Sequence, residues 1–142
     1  MKHLLLTLAL VFIFQLSEAQ VLSPVPSPKS TVIQDLGLTE IKVEYYRPKL
    51  KGRKIFGEGD EFLVPYGEIW RTGANSGTLL HVDDTVYIQE TAVMPGEYLL
   101  FTVPGDDKWE VMLYSDTKIG GNVAAYDESK EVASFTVEAE EV

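Results

Sequence analysis

The chain has 142 residues, no cysteine and a formal net charge of −10. Without cysteine there is neither a disulfide framework nor a lipoprotein anchor, and an acidic surplus argues against nucleic acid or an anionic membrane surface as partner. The charge is uneven: residues 20–71 hold eight basic and seven acidic residues, whereas residues 72–142 hold three basic and fourteen acidic ones.

Residues 1–19 read as a secretory signal. Lys2 gives the positive start, residues 4–16 an apolar run broken by Thr7 and Gln15, and Ser17-Glu18-Ala19 a small-residue cleavage site. The run falls short of the ~20 residues that a spanning helix needs. Cleavage is therefore expected, leaving an exported chain, periplasmic or secreted, with no membrane span. Residues 20–30 (QVLSPVPSPKS) follow as a proline-rich extended arm, because proline fixes φ and biases its predecessor away from helix.

Residues 31–142 form the expected folded domain. A first hairpin turns at Gly37, after which Ile41, Val43 and Tyr45 alternate with Lys42, Glu44 and Tyr46, and Arg47-Pro48 ends the strand. Further strands are expected over 78–82, 86–88 and 98–103, with 91–93 continuing the second of these past Gln89-Glu90 and a type II turn at Pro95-Gly96. Two more are expected over 109–114 and 132–142, and a single helical turn near 127–130. Strands of about five residues at this spacing predict an all-β fold, an antiparallel β-sandwich or barrel.

Chemistry is sparse. His81 is the only imidazole beyond the signal, and the acidic turns at 83–84, 106–107 and 58–61 lack the ligand spacing of a calcium loop, so no metal and no cofactor are expected. There is no G-x-S-x-G elbow, and GRKIFGEG at 52–59 lacks P-loop spacing. The irregular stretch LVPYGEIWRTGAN at 63–75, with its basic prelude from Arg47, is the candidate site. Tyr66 and Trp70 bring amphipathic rings, Arg47 and Arg71 forks of donors, and Asn75 a donor and an acceptor. Facing a cleft, these five suit a small polar ligand, a glycan or a protein partner. An alternative is a hydrolase or isomerase using Arg71 with a nearby carboxylate. Another is a purely structural corner, with Trp70 in the core and Asn75 in a turn. The lack of an assembled catalytic set favours a non-enzyme.

The segments SPKSTVIQDLGLTEIKVEYYRP, KGRKIFG, LVPYGEIWRTGAN and PGEYLLFTVPG and the Trp109 strand occur in that order. Together, over about residues 27–137, they resemble a family of exported bacterial proteins classed as a domain of unknown function. The resemblance implies a β-sandwich and a signal peptide; it implies no activity and no catalytic residue. The loop at 58–62 is longer than is usual in that family. Its members also continue past the equivalent of Val137, so further C-terminal strands are expected beyond Val142.

Overall fold

The computed structural model describes residues 23–139, so the signal expected at 1–19 lies outside the described residues. In chain order the strands are β1 (Lys29–Leu36), β2 (Thr39–Tyr46), β3 (Phe56–Gly57), β4 (Val64–Pro65), β5 (Thr78–Val82), β6 (Val86–Ile88), β7 (Thr91–Val93), β8 (Gly96–Val103), β9 (Lys108–Tyr114) and β10 (Glu131–Glu138). Three 3-10 turns, Thr117–Ile119, Val123–Ala125 and Glu128–Lys130, separate β9 from β10. The fold is all-β and antiparallel, as the alternating pattern predicts. Six strands build one open sheet in the order β1-β2-β5-β8-β9-β10, with β6–β7 as a separate antiparallel hairpin and β3–β4 as a short parallel pair.

Over β5, β8 and β9 both faces of the sheet are covered, and strand alternation decides which residue serves which face. Leu80, Val82, Tyr98, Leu113, Ala133 and Phe135 point to one side, where the β6–β7 hairpin closes over them with Val86, Ile88 and Val93. Leu99, Phe101, Met112 and Tyr114 point to the other, under Ile69, Ile119, Val123 and Tyr126. Val93, Leu99, Phe101 and Leu113 are at most 1% exposed. Each such side chain contributes about 1.5–3 kcal/mol of transfer free energy.

Two local expectations need correcting. Residues 91–93 do not extend β6: Gln89 adopts φ 51°, the chain reverses, and Val86, Tyr87 and Ile88 pair with Val93, Ala92 and Thr91. Pro95-Gly96 makes no type II turn, since Gly96 lacks the positive φ that turn requires and instead opens β8 opposite Val82.

The long connections matter most for function. β2 reaches β5 through residues 47–77, and β9 reaches β10 through residues 115–130. The second is anchored by an aromatic stack: Tyr126 lies on Tyr114 (centroids 4.8 Å, 29°) and meets Phe101 edge-on at 5.1 Å. The Tyr114 hydroxyl accepts from the Asp127 N–H (3.2 Å), and the Tyr126 hydroxyl donates to Glu131 Oε2 (2.7 Å). Both connections supply cover to the same face of the sheet.

Candidate functional site

Where the two connections meet they enclose an open cleft of about 1230 Å³. Its walls come from three stretches: 48–56, 63–75 and 121–124, with Pro26 and Ser27 of the arm at one margin.

The back wall is aromatic. Trp70 pairs with Thr102 through two backbone hydrogen bonds (2.7 and 2.9 Å), taking the place beside β8 that β5 leaves beyond Thr78. Its ring meets Phe56 edge-on at 5.0 Å and Trp109 at 6.3 Å, and Phe56 meets Trp109 at 4.7 Å. Such pairs contribute about 0.5–1.5 kcal/mol each beyond the area they bury. Trp70 is thus both a cleft wall and a structural pin.

From Trp70 the chain turns through a strained corner. Thr72 and Asn75 have φ of 53° and 54°, a region that costs a β-branched residue about 1–3 kcal/mol and that asparagine tolerates better. Thr72 is held there by its hydroxyl against Thr102 Oγ1 (3.1 Å), and its carbonyl accepts from the Thr78 hydroxyl. The corner presents Arg71 and Asn75 to the cleft. Both are exposed. Arg71 Nη1 donates to the Asn75 carbonyl (3.4 Å) and Asn75 Nδ2 to the Ser27 carbonyl (3.5 Å), long contacts that leave most of the guanidinium's donors for other partners. No ion pair involves Arg71 among the described residues.

The third wall explains how Arg71 is aimed. A Cβ on Gly121 would stand 2.5 Å from Arg71 Cδ, 2.7 Å from the Asn75 carbonyl oxygen and 3.1 Å from the Gly77 nitrogen. Only glycine lets the second connection approach this closely.

Across the cleft, residues 50–53 form a type I′ turn: Arg53 N–H donates to the Leu50 carbonyl (3.1 Å), and Lys51 and Gly52 have φ of 51° and 71°. Arg53 folds back on it, with Nε to the Leu50 carbonyl (3.0 Å) and Nη2 to the Lys49 carbonyl (2.8 Å). Lys49, Lys51, Arg53 and Arg71 therefore line the cleft with one acidic side chain, Glu68.

Of the five residues expected at the site, Trp70, Arg71 and Asn75 share this cleft, whereas Arg47 and Tyr66 lie outside its lining. Arg47 is exposed, its N–H bonded to the Pro28 carbonyl, and Tyr66 is half-buried with its N–H on the Gly57 carbonyl. Sequence reasoning passes over Gly121, Asn122 and Val123; the adjacent glycines 120 and 121 are the one signal that could have raised them. His81 is half-buried on β5, its Nδ1 3.9 Å from Glu97 Oε1. Among the described residues no group of three or more His, Asp or Glu side chains is placed to hold a metal, and no helix is long and apolar enough to cross a membrane.

No curated protein and no solved structure matches the chain. A family model described as a protein of unknown function, DUF2911, matches residues 27–142, which takes in Ser27 of the arm, the sheet and all three walls of the cleft. The chain belongs to that family of proteins of unknown function.

Proposed function

We propose that the chain is an exported, non-catalytic binding module. Its cleft takes a small ligand in which a carboxylate or comparable oxyanion is carried on an apolar or aromatic body. One observation carries this reading: in a chain of net charge −10, the cleft gathers four cationic side chains and a single acid around an aromatic wall. Low-dielectric walls focus such a field, and a planar guanidinium is suited to bidentate recognition of an oxyanion.

The conformation of Lys51 supports it independently. Asparagine or glycine suits the first position of a type I′ turn better than lysine does. A lysine there keeps a cation on the rim at some cost in stability, a pattern associated with functional positions.

A hydrolase or isomerase would need a carboxylate working beside Arg71, for which the lining offers only Glu68. No observation favours that alternative. The test is calorimetric titration and thermal shift with aromatic carboxylates, aliphatic carboxylates, sugar acids and neutral sugars, on the wild type and on Arg71→Ala. Acids are expected to bind and to lose about tenfold or more in the variant, as a charge-assisted hydrogen bond of roughly 1.5–3 kcal/mol is removed. Binding is also expected to weaken between 50 mM and 300 mM salt, as the screening length falls. Neutral sugars binding both proteins equally, or no compound distinguishing the two, would overturn the reading.

A further inference from the structure

We propose that β1 is a self-complementary edge through which two copies of the chain pair, antiparallel and about a two-fold axis at Val32, joining their sheets into one.

The two edges of the six-stranded sheet are built differently. β10 carries the devices that natural sheets use against edge-to-edge pairing. It has a register shift between Glu131 and Ala133, acids at both ends (Glu131 and Glu138), and a side chain from the neighbouring hairpin, Gln89 Nε2, donating to its Thr136 carbonyl (3.1 Å). β1 has no register shift, and the charges near its ends, Lys29 and Asp35, are of opposite sign; one side chain, Gln34 Nε2, donates to its Asp35 carbonyl (3.0 Å). The strand is eight residues long and pairs without a break from Lys29↔Tyr46 to Leu36↔Thr39. Seven of its eight residues are exposed, among them Val32 (50%), Ile33 (57%) and Leu36 (57%). No described strand pairs with its outer side.

The register on that outer side follows from the inner one. Arg47 N–H donates to the Pro28 carbonyl, and Glu40 exchanges hydrogen bonds with Asp83 on the side away from β1. Even-numbered residues of β1 therefore bond inward to β2. Lys29, Thr31, Ile33 and Asp35 turn their N–H and C=O groups outward. In an antiparallel pair about a two-fold axis normal to the sheet, residues that oppose each other share a face. Centring on Val32 puts Val32 opposite its own copy, Thr31 opposite Ile33 and Lys29 opposite Asp35, the last two pairs occurring twice. Opposite charges thus meet at both ends, where Lys29 also holds Glu44 of its own chain (2.9 Å), and the outward backbone groups of Lys29, Thr31, Ile33 and Asp35 face partners, the Asp35 carbonyl sharing or releasing its bond from Gln34 Nε2.

Side-chain chemistry agrees with this register. Val32 pairs with Val43, Val43 with Leu80, and Leu80 with Tyr98, so an apolar row runs out of the core to the free edge and stops at Val32. Pairing at Val32 joins two such rows. The molecule's charge distribution also favours this edge over the other. The acidic surplus belongs to residues 72–142, whereas β1 and β2 belong to the near-neutral part, so two copies meet where they repel least.

Sedimentation of the exported chain, residues 20–142, is expected to show a concentration-dependent dimer in the micromolar range. Ile33→Pro removes an outward N–H without touching the β1–β2 ladder, and is expected to be monomeric with an unchanged far-ultraviolet spectrum. Ile33→Lys gives the same readout should the proline disturb the strand. The chain lacks cysteine, so Val32→Cys creates a single thiol. Its position in the symmetric pair is non-hydrogen-bonded, with a Cα separation suited to a disulfide. Mild oxidation should cross-link Val32→Cys rapidly and Gln34→Cys or Thr136→Cys poorly. A wild type monomeric throughout, a dimer surviving both Ile33 variants, or equal cross-linking at all three positions would overturn the proposal.

Discussion

Gly121→Ala is the most informative single change in the cleft. The added Cβ would lie 2.5 Å from Arg71 Cδ and 2.7 Å from the Asn75 carbonyl oxygen, where ordinary contact begins near 3.4 Å. The two clashes differ in kind. Arg71 is exposed and can rotate away at little cost. The Asn75 carbonyl belongs to a corner with Thr72 and Asn75 already at positive φ, so it can yield only by moving backbone that is strained and pinned to Thr102 and Thr78. Overpacking of this type costs about 1–3 kcal/mol. At about 4 °C per kcal/mol for a domain of this size, the melting temperature should fall by roughly 4–12 °C. The assay is thermal denaturation followed by circular dichroism, on Gly121→Ala alone and in an Arg71→Ala background. The backbone clash predicts that most of the loss persists when Arg71 is absent. A melting temperature unchanged within about 1 °C, or a loss abolished by Arg71→Ala, would refute the claim that Gly121 is required by the corner's backbone.

Three further outcomes follow from the same geometry. Lys51→Asn should raise stability by about 0.5–1 kcal/mol in denaturant titration, since asparagine suits the positive φ of the type I′ turn, while weakening carboxylate binding by loss of a rim cation. Tyr114→Phe should cost about 1 kcal/mol, because the Asp127 N–H loses its acceptor in a half-buried setting; an unchanged midpoint would show that water replaces it. Burial first, and then the hydrogen bond to Glu131, push the Tyr126 hydroxyl well above its ordinary value of 10.0. The folded state thus holds this proton more tightly than the unfolded chain, so the stabilisation is complete below about pH 10 and is lost as pH rises toward the folded-state value. Wild-type stability should fall more steeply than that of Tyr126→Phe above pH 10, and parallel curves would contradict the assignment.

The sheet was largely legible in the sequence because its signals are local. The strands at 78–82 and 86–88 occupy the residues their alternation and flanking turns indicate, and Arg47-Pro48 ends β2 as proline should. The β6–β7 reversal was hidden because Gln89-Glu90 carries no glycine, asparagine or proline to announce a positive φ. Its conformation accompanies packing of the hairpin on the core and the bond from Gln89 to Thr136. The cleft was half legible. Trp70, Arg71 and Asn75 stood out by composition, and the basic prelude was visible as charge. Nothing in either connection says that residues 121–124 will lie against Arg71, because that contact is set by the order of strands in the sheet and not by any neighbour in the chain.

The aromatic wall has a practical consequence. The chain contains two tryptophans, and both belong to the triad with Phe56, with ring centroids 6.3 Å apart. Indole emission from this protein therefore originates at one spot, on the back of the cleft, and at that separation the two rings share excitation. When the indoles are excited selectively, changes in emission intensity and wavelength report on that wall alone, so the molecule carries its own optical gauge of whether the cleft is filled, with no label attached.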